Sequence, residues 1–226
     1  MSEAIKKEAG KEAFICNINW FTGEQQNIVR SVEYSETDNF LLNQITENKK
    51  VYFPNILIKK HIAASNPLNE ELANSQDYVH FSKLLMFINP VVIPKALINI
   101  RVHSDNISGN KHSFQYVKNQ FKATTIIFND IRNTDIMNPK MVSHLFYRNI
   151  VDIRKALLNG SEDLYNEIRI TIFKEYFPYQ KSKIFIKSVF GFEEFLIKHI
   201  AKPLKIAPRT WYKVSALLFS KFAKTE

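Results

Sequence analysis

The chain has 226 residues, 45% of them hydrophobic and 13% aromatic, which is enough to build a real core, so disorder is not the default reading. Its net charge is +9, and its single cysteine, Cys16, excludes an intramolecular disulfide and, by itself, a zinc site. Residues 1–12 mix both charge signs without an apolar core, and no run of about 18 apolar residues occurs. Neither a signal peptide nor a membrane span is therefore expected, and the chain reads as cytoplasmic.

Taken in chain order, residues 12–21 predict a strand, with Phe14, Ile15, Ile18, Trp20 and Phe21 as its apolar content and Gly23 ending it. A second extended segment follows at 27–34. Thr37 or Asp38 is placed to cap a helix carrying Phe40, Leu41 and Ile45 at helical spacing, which stops at the polar residues 48–50. A short apolar block, 51–58, precedes Lys59-Lys60-His61, and Ser65-Asn66-Pro67 marks a turn. Tyr78, Phe81, Leu84, Leu85 and Ile88 then give an amphipathic helix over 77–88, ended by Asn89-Pro90. Two extended runs broken by Pro94, at 91–93 and 96–102, deliver Arg101 and His103 to a strand end. Beyond Ser108 helical periodicity dominates, at 113–133, 140–159, 161–176, 183–201 and 210–223.

Composition and charge shift together near residue 109. Residues 1–108 hold eleven Lys/Arg against twelve Asp/Glu, and residues 109–226 hold twenty against ten. Two regions follow: a mixed α/β region at 1–108 and a basic helical region at 109–226. The second carries all the excess charge, which fits an anionic partner such as the inner face of a membrane, a lipid-linked substrate or nucleic acid, and equally a solvated basic face. Residues 181–224 interleave Lys/Arg with aromatics such as Phe190, Trp211 and Phe222. That is the composition of an interfacial helix, although five helices also need these side chains for an interior.

Chemistry concentrates in two stretches. Asp77 stands at the start of a helix, where the dipole favours its ionised form, and where an ordinary helix start with Ser75 as cap gives the same residue. Arg101 offers a fork of donors suited to phosphate oxygens, and a neutral His103 is able to ligate a divalent metal; two apart on an extended segment, they project to one side. The order of these pieces resembles the acceptor side of inverting family 2 glycosyltransferases of the GT-A fold. It runs from Asn66-Pro67-Leu68-Asn69-Glu70-Glu71-Leu72, through Gln76-Asp77 and its helix and Ile93-Pro94-Lys95-Ala96-Leu97, to Arg101-x-His103 with Asn106-Ile107-Ser108. The match covers roughly residues 14–108.

The resemblance implies a partial GT-A-like sheet with flanking helices, followed by an all-helical C-terminal region. It implies transfer of a sugar from a nucleotide sugar to a glycan or lipid-linked acceptor, as in polysaccharide biosynthesis. Asp77 would be the base, Arg101 and Ser108 would hold the donor diphosphate, Gln76 and Asn106 would lie on the acceptor side, and His103 would face a divalent metal, Mn²⁺ or Mg²⁺. The sequence departs from the family at Gln76, where Glu is usual, and at Ile100, where Tyr is frequent. It also lacks an Asp-x-Asp motif and the first nucleotide-binding βα units. The resemblance thus implies the C-terminal part of such an enzyme, inactive alone and completed by an N-terminal half. The rival expectations are a non-catalytic scaffold half and a basic helical nucleic-acid-binding protein. No Gly-x-Gly-x-x-Gly, phosphate-binding loop, His-Glu-x-x-His or Gly-x-Ser-x-Gly occurs.

Overall fold

The computed structural model describes residues 6, 8, 10–23, 27–102, 113–158, 161–176 and 195, with the backbone alone at 154, 157 and 158. Two compact units are formed, one of Met1–Gly109 with Thr125–Met141 and the other of Asn110–Thr124 with Val142–Glu226. The expected helices at 183–201 and 210–223 lie outside the described residues.

The first unit is mixed α/β and is built on strand β1 (Ala13–Phe21). Ala13, Phe14, Ile15, Cys16 and Ile18 are all buried, so both faces of this strand are covered along its first half. Gly23, at φ +62, supports the turn into β2 (Ile28–Val32), and the Thr22 N–H donates to the Asn27 carbonyl at 3.1 Å. β2 and β3 (Ile56–Ile58) both run antiparallel to β1, along residues 18–21 and 13–15 respectively. β4 (Val91–Arg101) runs parallel to β1 along 14–21. A strand has two edges, so β2 and β3 share one edge of β1 end to end and β4 takes the other.

The two runs expected on either side of Pro94 form this single strand. Cys16 pairs with Ile93, Asn17 with Ala96 and Ile18 with Ile98, so the bulges absorb Pro94, Lys95 and Leu97. Pro94 lacks an N–H, and an irregular stretch of ladder tolerates that loss.

Helix α1 (Phe40–Ile45) is capped by Asn39, whose side chain accepts from the Leu42 N–H at 2.9 Å. Neither Thr37 nor Asp38 is the cap. The Asp38 carboxylate instead accepts from the Ser35 N–H at 2.8 Å and pairs with Lys49 Nζ at 2.8 Å. After a 3₁₀ turn (Phe53–Asn55) and β3, a short helix α2 (Lys60–Ser65) forms where only a charged stretch and a turn were expected; it buries no residue. An apolar stripe is what periodicity detects, and α2 has none to offer.

Helix α3 (Gln76–Leu84) buries Tyr78, Val79, Phe81 and Leu84. The Tyr78 hydroxyl donates to the Ile45 carbonyl at 2.8 Å, tying α3 to the end of α1. Regular α3 stops at Leu84, short of the expected Ile88, although Leu85 and Ile88 remain buried.

Beyond β4, α4 (Phe114–Ile131), α5 (Pro139–Leu158) and α6 (Glu162–Thr171), which runs into a π-helical turn (Ile172–Tyr176), follow the expected helical periodicity. In the second unit Val117, Phe121, Ile150, Ile153, Leu164, Tyr165, Ile168 and Ile172 make one apolar core. Thr124 crosses its interior, donating to Asn149 Oδ1 at 2.8 Å while its carbonyl accepts from the Tyr176 hydroxyl at 3.1 Å.

Candidate functional site

β1 and β4 point the same way, and their C-terminal ends lie side by side. Trp20 pairs with Ile100 and Phe21 with Arg101, and the Val102 N–H closes the ladder on the Phe21 carbonyl at 2.8 Å. In open α/β sheets this end, just outside the carboxyl ends of parallel strands, is where ligands collect. Arg101 is exposed there as the last residue of β4. The residues expected to follow it into a binding loop, His103, Asn106 and Ser108, lie outside the described residues.

The two faces of this sheet end differ. On one, Ser31 Oγ donates to Asn19 Oδ1 at 2.9 Å and Asn19 Nδ2 donates to Asn99 Oδ1 at 3.3 Å, a polar row across three strands. Strand alternation sets Phe21 and Arg101 on this same face. On the other, Arg30 of β2 stands opposite Trp20, with its guanidinium carbon 4.9 Å from the centre of the indole. Tyr52 meets Trp20 edge to face, the ring centroids 5.5 Å apart. Burial pushes the Tyr52 hydroxyl above its ordinary value; nearby Arg30 opposes the shift and the Asp77 carboxylate adds to it.

Asp77 lies in the first turn of α3. The segment carrying Tyr52 is locked to α3 by Phe53, whose ring lies 5.6 Å from His80 and 4.9 Å from Phe81. Asp77 is half-buried, and its Oδ1 accepts from the Tyr78 N–H at 2.8 Å. Ser75 occupies the cap position in a left-handed conformation, φ 68, and makes no side-chain capping bond, so Asp77 itself satisfies a first-turn donor. Gln76, also half-buried, is the first residue of α3.

Asp77 is linked to this group only through the charge that its carboxylate presents to Tyr52. Arg101 belongs to the opposite row, and no hydrogen bond or ion pair joins it to Asp77. Trp20, Arg30 and Tyr52 were not among the candidate site residues of the sequence, where Trp20 counted only as apolar content of the first strand. Their grouping depends on the register of the β1–β2 hairpin, which fixes Trp20 opposite Arg30 and which periodicity alone does not supply.

Elsewhere, a recess of about 490 Å³ is lined by residues 37–41 and 85–89, with Phe87, 86% exposed, among its walls. Its Asp38 carboxylate is already committed to Lys49 and Ser35. Among the described residues no three of His, Cys, Asp and Glu gather as a metal site, and no helix is long and apolar enough to cross a membrane. Compared with protein-family models, with curated proteins and with solved structures, the chain matches none.

Proposed function

We propose that the chain is the acceptor-side part of an inverting, family 2-like glycosyltransferase of GT-A type, active when a nucleotide-binding half completes it. The observation carrying this reading is an order: an acid opening a crossover helix, then a strand parallel to β1 ending in Arg101 and running on to His103 and Ser108. In this reading Asp77 takes the proton from the acceptor hydroxyl as its oxygen bonds to the anomeric carbon of the sugar. The bond from that carbon to the donor phosphate breaks, and the nucleoside diphosphate leaves. Arg101 and Ser108 bind the diphosphate, with Gln76 and Asn106 on the acceptor side.

In this reading His103 alone would not hold Mn²⁺ or Mg²⁺. The chain has no Asp-x-Asp, and its described residues gather no three ligands, so the metal ligands are assigned to the missing half. The acceptor is a glycan or a lipid-linked glycan at an anionic membrane surface, which the basic second region would favour.

Titration calorimetry with UDP and Mn²⁺ tests the donor loop. Binding that disappears in both Arg101→Ala and His103→Ala supports it, and no heat at millimolar UDP means that this chain binds no donor until a partner carrying the Asp-x-Asp completes it. In the completed enzyme, Asp77→Asn is expected to lower turnover by about 10²–10⁴-fold, the usual range for a lost general base. Unchanged turnover would take Asp77 out of the mechanism.

One observation favours a second reading, a non-catalytic scaffold half: the Asp77 carboxylate already accepts a backbone N–H and makes no pair with Arg101. Full activity of the completed enzyme carrying Asp77→Asn would select it.

A further inference from the structure

The four strands of the sheet contain no Asp or Glu, whereas β2 and β4 bring Arg30, Lys95 and Arg101. Arg30 already lies over the Trp20 indole on one face. On the other face Arg101 is exposed, and among the described residues it makes no hydrogen bond or ion pair. Asn99, two residues earlier in regular pairing with β1, projects to the same side as Arg101.

The Asn99 amide is oriented by a chain of hydrogen bonds across three strands. Ser31 Oγ donates to Asn19 Oδ1 at 2.9 Å, and with that oxygen engaged Asn19 Nδ2 donates to Asn99 Oδ1 at 3.3 Å. Each amide oxygen of the row therefore already accepts a bond, and what Asn99 has left is its Nδ2, a donor. The exposed end of β4 thus offers a guanidinium fork and an amide N–H on one side.

Donors without matching acceptors select an anion. A metal cation would find no carboxylate in these strands, and a sugar hydroxyl would leave the guanidinium without a negative partner. The two oxygens of a carboxylate are filled by the fork alone. A phosphate has further oxygens in tetrahedral arrangement, so it takes the fork on two and the amide on a third.

We infer that Asn99 and Arg101 form a phosphate site at the end of β4, with Ser31 and Asn19 as positioning residues that hold the Asn99 amide in its donor-presenting orientation. The phosphate class follows from the donors of this chain, while its assignment to the diphosphate of a nucleotide sugar rests on the transferase reading.

The test uses the full chain without metal. Inorganic phosphate, pyrophosphate and UDP are titrated in separate calorimetric runs, with uridine as the phosphate-free control. Pyrophosphate is expected to bind in the millimolar range, and uridine to give no heat. Asn99→Ala is expected to weaken pyrophosphate binding several-fold. Asn99→Asp, whose carboxylate still accepts from Asn19 Nδ2 but no longer donates, is expected to abolish it. Asn19→Ala and Ser31→Ala free the amide without removing it and are expected to weaken binding less than Asn99→Ala. Arg101→Lys keeps the charge, loses the fork and is expected to cost several-fold. Asn99, Ser31 and Arg101 are exposed, so urea unfolding midpoints of their variants are expected to stay near that of the unaltered chain, which separates lost binding from a lost fold.

No binding of any phosphate compound would overturn the site. So would binding that depends on Arg101 but is unchanged in Asn99→Ala, because the row is then an ordinary polar ladder. Uridine binding as tightly as UDP would move the contact to the base and also overturn it. With Asn99→Ala weakening both, equal affinities for inorganic phosphate and UDP would identify a free phosphate as the ligand, and tighter UDP binding would identify the nucleotide. Failure of the site is separable from failure of the transferase reading. Absence of pyrophosphate binding sinks the site alone, since donor binding then awaits the completing half. Pyrophosphate binding that depends on Asn99, in a completed enzyme that turns over no sugar nucleotide, sinks the transferase reading and leaves the site standing.

Discussion

His80 lies with its ring centroid 5.6 Å from that of Phe53 and 5.0 Å from that of Phe81, only 7% exposed, and its Nδ1 has no hydrogen-bond partner. Burial pushes the imidazole below its ordinary value of 6.5, against a smaller opposing contribution from the backbone of Asn66. The unfolded chain therefore takes up this proton more readily than the native one, and the proton favours unfolding. Stability is expected to fall as pH drops through the ordinary histidine value, and to level off once folded His80 is itself protonated. His80→Phe keeps a stacked ring and removes the proton, so urea unfolding between pH 8 and pH 5 is expected to show a flatter acid side. An unchanged acid slope would assign the loss to other groups.

Between elements, the bond from the Tyr78 hydroxyl to the Ile45 carbonyl is a buried tie that holds α3 on α1 and so fixes the helix start from which Asp77 projects. Tyr78→Phe leaves the ring in place and strands a buried carbonyl at a helix end. A loss of about 1–2 kcal/mol in urea unfolding is expected, with the m-value unchanged; a loss within error would show that water replaces the hydroxyl. Elements with an apolar stripe or an apolar run were legible in the sequence: β1, α3, α4, α5 and α6 all fell near their expected places. What escaped was decided by other forces. α2 buries nothing and leaves no periodic trace, and the α1 cap went to Asn39 because Lys49 and the Ser35 N–H had claimed Asp38. Pro94 looked like a break in β4, but pairing along β1 carries the strand past it.

For the molecule as a whole, the mixed α/β architecture and the helices described over 114–176 could be read from composition and periodicity, because burial patterning is local. The candidate site was legible only in part. Asp77 and Arg101 stand out in sequence as isolated polar residues at the edges of apolar elements, whereas the Trp20, Arg30 and Tyr52 grouping is a product of strand register, which is non-local. The lone thiol of the chain sits at the middle of this register. Cys16 is 0% exposed at the centre of β1, its neighbour across the ladder is Ile93, and burial raises its pKa. A thiol reagent therefore has no access until the central strand loses its covering, which turns Cys16 into an internal clock for sheet opening. Labelling in native buffer is expected to be slow and to accelerate with urea along the slope of global unfolding. Rapid, urea-independent labelling would mean that β4 detaches by itself, a motion that would expose the same strand edge that carries Arg101.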